Sequence, residues 1–429
     1  MGGNKRLIII GAGPKAMAIA AKNSVLREMG FSVPEIHIIE RKGVGANWTG
    51  DSGFTNGRLA LGTSPEKDVG FPYQSTGYGE SYNQIIDERM QRYSWHSYLV
   101  AHSKYSDWVD RGRPAPCHRE WASYLQWVCN LLCDSIKFYR GEVNQVSLSP
   151  ENRWVVGYQA TSGRVDAVEG DGIVLTGPGK IRLSEAIPVH DNVFTVESFW
   201  RTYSRFRDAG PAKLAIVGTG ENAAAIAMAL SEVCNRDLQI TILSPTGMAF
   251  SRGESFRENR VYSNAESGRW NELSVADRKN FIYRTDRGVF SQYAQAVLDQ
   301  AKNIEIEPGR LKKVVAETGQ SLKLEIEYDG HTKETIHDFV VMATGADPLA
   351  FFRDLVDRKT SDEIRRQTGV DELSPSVLEP VIENDLSVRG LTPRLHLPML
   401  SGVAQGPGFA NLSCLGRLSD RILLPYLSV

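Results

Sequence analysis

No apolar run in this chain is long enough to cross a bilayer. Its hydrophobic stretches, such as LIII, IVL, LAIV and FVVM, are strand-sized, against the ~20 residues a membrane helix needs. The stretch Leu7 to Ile10 runs straight into Gly11 and so reads as a first strand rather than a signal peptide. A myristoylation signal fails because Arg6 stands where Ser or Thr is wanted. A cytoplasmic location is expected. Charge of one sign is also missing: 49 Lys and Arg face 51 Asp and Glu, for a net charge of −2. With the basic residues scattered, neither nucleic acid nor an anionic membrane is an expected partner. Cysteine is scarce. The five (Cys117, Cys129, Cys133, Cys234 and Cys414) form no CxxC pair, so reduced thiols are expected and dithiol disulfide reduction is disfavoured. The eight His show no HxxH or HExxH spacing, and no metal site is expected.

Glycine is plentiful, and twice it falls in a dinucleotide fingerprint. Gly11-Ala-Gly13-Pro14-Lys15-Ala16 follows Leu7 to Ile10, and Gly218-Thr-Gly220-Glu221-Asn222-Ala223 follows Leu214 to Val217. In each, the first Gly permits the tight turn and the second lets backbone N–H groups approach a pyrophosphate. The small third residue keeps helix and strand close, and the helix N-terminus faces the negative charge. Two correctly flanked matches argue for two dinucleotides, and chemistry that needs both passes a hydride from nicotinamide to flavin. A simple NAD dehydrogenase would not need the second site.

The chain's length of 429 residues predicts two or three domains. Residues 6–40 read as one mononucleotide unit, with a helix over about 14–29 and a second strand, EIHIIE, ending at Glu40. An acid in that place accepts hydrogen bonds from a ribose diol, which suits FAD. Residues 41–90 are rich in Gly, Pro, Asn and aromatics, and a long irregular stretch in a compact enzyme carries function. Helical patterning resumes near 84–109 and at 118–134, where Trp121, Tyr124, Leu125, Val128 and Leu132 follow core spacing. Strands at 171–175 and 339–343 close on Gly-containing turns, as where flavin enzymes cross between two nucleotide domains. The expected class is α/β, with two Rossmann-like dinucleotide-binding domains (FAD and NADPH) and a smaller substrate-binding region. Residues 1–207 would begin the FAD domain and 208–335 would be the inserted NADPH domain, with a substrate-contacting segment near 250–290. Residues 336–429 would complete the FAD domain and supply a substrate cap. The second unit's next strand ends in Ser244-Pro245 rather than an acid. A carboxylate there would repel a 2′-phosphate, whereas Ser244 can donate to one and Arg252 is near, so NADP is preferred to NAD.

Longer segments are more specific than either fingerprint. GVGANW, LGTSPEKDVGFPY, RGRPAP, RTDRGVF, GADPL and QGPGF, with Leu418-Ser419-Asp420, resemble the flavin-dependent N-hydroxylating monooxygenases over nearly the whole chain. The likeness is strongest to the mycobactin-type lysine N6-monooxygenase branch. It implies an enzyme using FAD, NADPH and O₂ to hydroxylate N6 of L-lysine through an oxygen adduct of the reduced flavin (a C4a-hydroperoxide), for hydroxamate siderophores. By position, Lys67 would bind the α-carboxylate and Asn259 the α-amino end. Asp286 would hold the tail ammonium or take its proton. Trp48 would lie in the flavin site and Leu418, Ser419 and Asp420 near the isoalloxazine, while Arg252 and the turn at 218–222 would contact NADP. Relatives of this kind form dimers or tetramers. There are departures: Gly62 and Asp286 stand where ornithine enzymes carry amides, and Glu221-Asn222 where they carry Gln-Ser. Ornithine or a diamine therefore remains open as substrate, as do another flavoprotein monooxygenase and a non-catalytic flavin-binding redox regulator.

Overall fold

The computed structural model describes residues 5–427, apart from 52, 54, 182, 184–185, 208–209, 234–236 and 318–320. Cys234 lies outside the described residues. The other four cysteines are free, with only Cys414 buried.

Each fingerprint begins from a strand inside its own parallel sheet. The first strand, β1 (Arg6–Ile10), pairs in parallel with β2 (Glu35–Glu40) on one side. Its apolar, β-branched residues suit a strand buried on both faces. The sheet continues through β3 (Ile136–Leu148), which turns antiparallel into β4 (Trp154–Ala160) and β5 (Val165–Gly170). On the other side of β1 lie β6 (Gly172–Leu175) and, from the far end of the chain, Arg394–His396.

Against this sheet packs α1 (Pro14–Glu28). Pro14 presets the backbone of its first turn, and every residue from Pro14 to Leu26 is buried. Ala16, Ala18, Ala20 and Ala21 let neighbours approach closely. Those neighbours include α2 (Glu80–Met90), α3 (Trp95–Ala101), α4 (His118–Leu131) and the C-terminal α9 (Leu415–Leu423). Trp121, Tyr124, Leu125, Val128 and Leu132 are fully buried in this core, as their spacing predicts.

A helix buried on all sides cannot leave a lysine unpaired. Lys22 meets Asp420 of α9 at 2.7 Å, the two side chains being 1% and 0% exposed. Ser75 also accepts from Lys22, while Asp420 accepts from the Thr76 amide and the Tyr78 hydroxyl. Leu418 and Ser419 are equally buried, the Ser419 hydroxyl donating to the Leu415 carbonyl. Leu418, Ser419 and Asp420, expected near the isoalloxazine, have side chains buried within the first unit. The one-sided apolar pattern of α9 turns Leu415, Leu418 and Ile422 inward, and Asp420 meets α1 through Lys22.

The second sheet has the order Ile304–Pro308, β8 (Leu238–Ser244), β7 (Ala212–Val217), β9 (Phe339–Met342) and Val193–Thr195, all parallel. It is wider than the expected insert of 208–335. Phe339–Met342 is no mere connector, since it pairs with β7 from Phe339↔Leu214 to Met342↔Val217. Helix α5 (Glu221–Val233) covers one face. A three-stranded antiparallel meander covers the other with Leu322, Leu324 and Ile326. Where the chain crosses between units, Lys180 and Asp347 exchange backbone hydrogen bonds at 3.2 and 3.0 Å. Gly179 is needed there, for a Cβ would lie 2.2 Å from the Asp347 carbonyl.

The buried pair gives a testable consequence. Lys22→Ala leaves Asp420 charged in a dry core and is expected to cost about 3–5 kcal/mol in denaturant unfolding. Lys22→Met with Asp420→Leu, which removes both charges, is expected to recover most of that loss. A double variant as unstable as the single one would show that packing, not the charge pair, sets the cost.

Candidate functional site

The first fingerprint presents an open, anion-seeking backbone. Gly11 adopts φ +97°, and a Cβ there would lie 2.4 Å from Thr176 Oγ1, so only glycine makes the turn. Gly13 is the N-cap of α1, with no side-chain cap and nothing within 4 Å of where its Cβ would be. The free N–H groups of the first helical turn therefore face open space, as a pyrophosphate requires. Glu40 ends β2 beside this turn. One carboxylate oxygen accepts from the Ala12 amide at 2.9 Å, the other from Lys42 at 2.6 Å and Gly43 at 3.3 Å. Beyond it opens a cavity of about 240 Å³ lined by Lys42, Gly43, Val44, Thr49, Gln126 and Arg140. This donor set and cavity fit the adenosine end of FAD. Trp48 packs half-buried on the first core. Lys15 is turned inward: its ammonium donates to the Ala410 carbonyl at 3.0 Å, and burial lowers its pKa to about 8. The backbone and Pro14, rather than the Lys15 side chain, thus shape the anion site.

The second fingerprint repeats the geometry. Gly218 adopts φ +118°, and a Cβ there would fall 2.5 Å from the Ala343 carbonyl, while Gly220 has open space. This cradle fits a second dinucleotide. Asn222 is exposed beside it. Ser244, expected at the 2′-phosphate, is fully buried; its hydroxyl donates to the Met248 carbonyl at 2.9 Å and accepts from the Thr246 amide. That expectation is corrected, because the hydroxyl closes its own turn. Arg252, also expected at NADP, is engaged elsewhere as well. It donates to the Gly62 carbonyl at 3.0 Å and pairs with Asp286 at 3.7 Å.

Those contacts belong to a polar cluster at the seam between the units. From the first unit come Gly62 and Lys67. From the second come Glu221, Arg252, Asn259 on α6 (Phe256–Ser263) and Asp286, the C-cap of α7 (Val275–Thr285). Lys67 Nζ donates to Asn259 Oδ1 at 2.6 Å. Asn259 is itself oriented by donating to the Glu254 carbonyl at 2.8 Å, and its helix is fixed by a capping box between Ser255 and Glu258. Burial first, then Arg252, lower the Lys67 pKa. Lys67, Asn259, Asp286, Arg252 and Glu221 are thus brought together, while Ser244, Ser419 and Asp420 are not among them.

One residue that sequence reasoning passed over holds this loop. Asp68 is 2% exposed and accepts from the Trp95 amide at 2.8 Å, the Tyr73 hydroxyl at 2.8 Å and the Gly70 amide at 3.0 Å. Burial pushes its carboxyl up to about 6 against these bonds. An acid directly after the lysine was the only signal in the sequence.

Comparison with known proteins points the same way. Residues 87–348 match the model of the L-lysine 6-monooxygenase/L-ornithine 5-monooxygenase family. The chain is 42% identical over 423 residues to the L-lysine N6-monooxygenase MbtG of Mycobacterium tuberculosis (strain ATCC 25618 / H37Rv), covering 98% of this chain and 94% of that protein. Among solved structures, the lysine monooxygenase NbtG of Nocardia farcinica, described with an unprecedented NADPH domain conformation, superposes with a TM-score of 0.84. It shares 37% identity, over 98% of this chain and 99% of that one. An ornithine N-hydroxylase, KtzI, of Kutzneria sp. 744 shares the fold at a TM-score of 0.74 and 16% identity, over 98% of both chains.

The Asp68 anchor is testable. Asp68→Ala leaves three donors without their acceptor and is expected to cost about 2–4 kcal/mol of unfolding free energy. Asp68→Asn keeps an acceptor and should cost less. Equal losses in chemical denaturation would assign the effect to charge rather than to the hydrogen bonds.

Proposed function

The chain belongs to the L-lysine 6-monooxygenase/L-ornithine 5-monooxygenase family, and from that premise we propose that it hydroxylates the ε-amino nitrogen of free L-lysine with FAD, NADPH and O₂. The Lys67–Asn259 contact across the seam carries the reading. A cation from the unit of the first fingerprint and an amide from the unit of the second meet at the seam between them, which supports a substrate site there. The lysine N6-monooxygenase relative, similar over nearly the whole chain, supports lysine over ornithine. Bound FAD supplies the oxygen chemistry, activating O₂ after reduction by NADPH and delivering one oxygen atom to the amine.

The protein's residues position the substrate and exclude water. Lys67 has a neutral amide as its hydrogen-bond partner, which leaves its charge for the α-carboxylate of an amino acid. Asn259 Oδ1, now accepting from Lys67, can accept from the α-ammonium once the carboxylate draws Lys67 away. The tail amine must be neutral to act as a nucleophile, yet an alkyl ammonium has a reference pKa of about 10.4. Exclusion of water from the seam by bound substrate and cofactors would favour the neutral form. Asp286, held near Arg252, is placed to hold the ammonium before its proton leaves. Product formation is then expected to rise about tenfold per pH unit below the bound amine's pKa and level off above it.

Lys67→Ala tests the assignment. It should raise the KM for lysine by about 10- to 100-fold, the value of a lost charged hydrogen bond. The rate of flavin reduction by NADPH in anaerobic stopped flow should stay near that of the parent enzyme. An unchanged KM would reject Lys67 as the carboxylate site. Oxygen consumption against lysine, ornithine and diamines, with the hydroxylamine product identified by mass, tests the substrate.

A further inference from the structure

Glu221 is the first residue of α5, directly after Gly220, where the pyrophosphate of a dinucleotide belongs. An acid is an unexpected occupant of an anion site, and its surroundings make it more so. Its Oε1 is buried without a hydrogen-bond partner. Its Oε2 lies 3.8 Å from where a Cβ of Gly62 would stand, an ordinary contact distance, so the carboxylate reaches across to the first unit. The backbone at Ser291, the N-cap of α8 (Gln292–Leu298), hydrogen-bonds to it. The charged groups that face it are Arg252, Glu254 and Asp286. Arg252, the cation among them, is already committed to the Gly62 carbonyl and to Asp286. An ionised Glu221 and an incoming pyrophosphate would thus share one engaged guanidinium, two like charges meeting at a partly buried seam.

We propose that Glu221 takes up a proton when NADPH binds and, as a carboxylic acid, donates its O–H to a pyrophosphate oxygen, so that affinity for the dinucleotide is linked to pH. The inference rests on the proposed use of NADPH and adds a specific role to one of its contact residues. Neutralisation removes the repulsion and gives the carboxyl an O–H that a phosphate oxygen can accept. The proton is held readily near neutrality: burial raises the Glu221 carboxyl to about 7, against Arg252 and with Asp286 and Glu254 assisting. Below that value the acid is already protonated and affinity is insensitive to pH at this group. Above it, each pH unit removes about tenfold in affinity.

The test is isothermal titration calorimetry of NADP⁺ into the FAD-loaded enzyme from about pH 6 to about pH 9, in two buffers of different ionisation enthalpy. The parent enzyme should take up about one proton per NADP⁺ on the alkaline side, with Kd rising about tenfold per pH unit. Glu221→Gln, which keeps size and a donor but no charge, should abolish both the uptake and the slope. Titration of the 2′-phosphate near ~6 is common to both proteins and cancels in the comparison. Equal slopes and equal proton uptake in the two proteins would overturn the proposal while leaving the NADPH reading in place. Failure of NADP⁺ and NADPH to bind either protein at any pH would overturn both.

Discussion

The buried ion pair between Lys22 and Asp420 fixes the frame on which the site depends. It ties the helix that follows the first fingerprint to the last helix of the chain, so the turn at Gly11 and Gly13 is held from behind by residues some four hundred positions away. Two charges taken out of water tolerate little movement, because separating them leaves each desolvated and unpaired. The constraint reaches the seam as well. α9 also carries Arg417 and Arg421, which meet Glu266 of the second unit at 3.6 and 2.9 Å, while Trp270 donates to the Val403 carbonyl at 3.0 Å. One C-terminal helix therefore braces the first fingerprint turn and the segment that carries seam residues of the second unit.

The candidate site is divided between two bodies. Lys67 and Gly62 are held by the irregular loop that Asp68 anchors on α3, and Asn259, Arg252, Asp286 and Glu221 by the second unit. Neither body alone contains the Lys67–Asn259 contact. On the proposed reading such a division would let contact between the two surfaces control water at the cluster, and exclusion of water would favour a neutral amine over an ammonium.

Some of this was legible in the sequence because it is set locally. The fingerprints demand glycine where φ is positive, as at Gly11 and Gly218, and the strand before each must be short and apolar. The core spacing of Trp121 to Leu132 is likewise a property of one helix. Ser244 misled because a serine after a strand reads as a free donor, whereas the turn to Met248 uses its hydroxyl. The partner of Asp420 was not legible, because Lys22 lies some four hundred positions away and only packing brings the two together. Phe339–Met342 reads from sequence as a crossing segment, and only its pairing with β7 places it inside the second sheet.

The sequence by itself determined two nucleotide folds, their order and the family, because backbone geometry and long matching segments are properties of neighbouring residues. Only the tertiary structure decided which polar groups are committed and which remain free. Arg252 turns to Gly62, Glu221 comes close to the same glycine, and Lys67 finds Asn259. Each of these depends on surfaces about two hundred residues apart being pressed together, and side-chain direction across such a contact is set by packing and desolvation rather than by any local pattern.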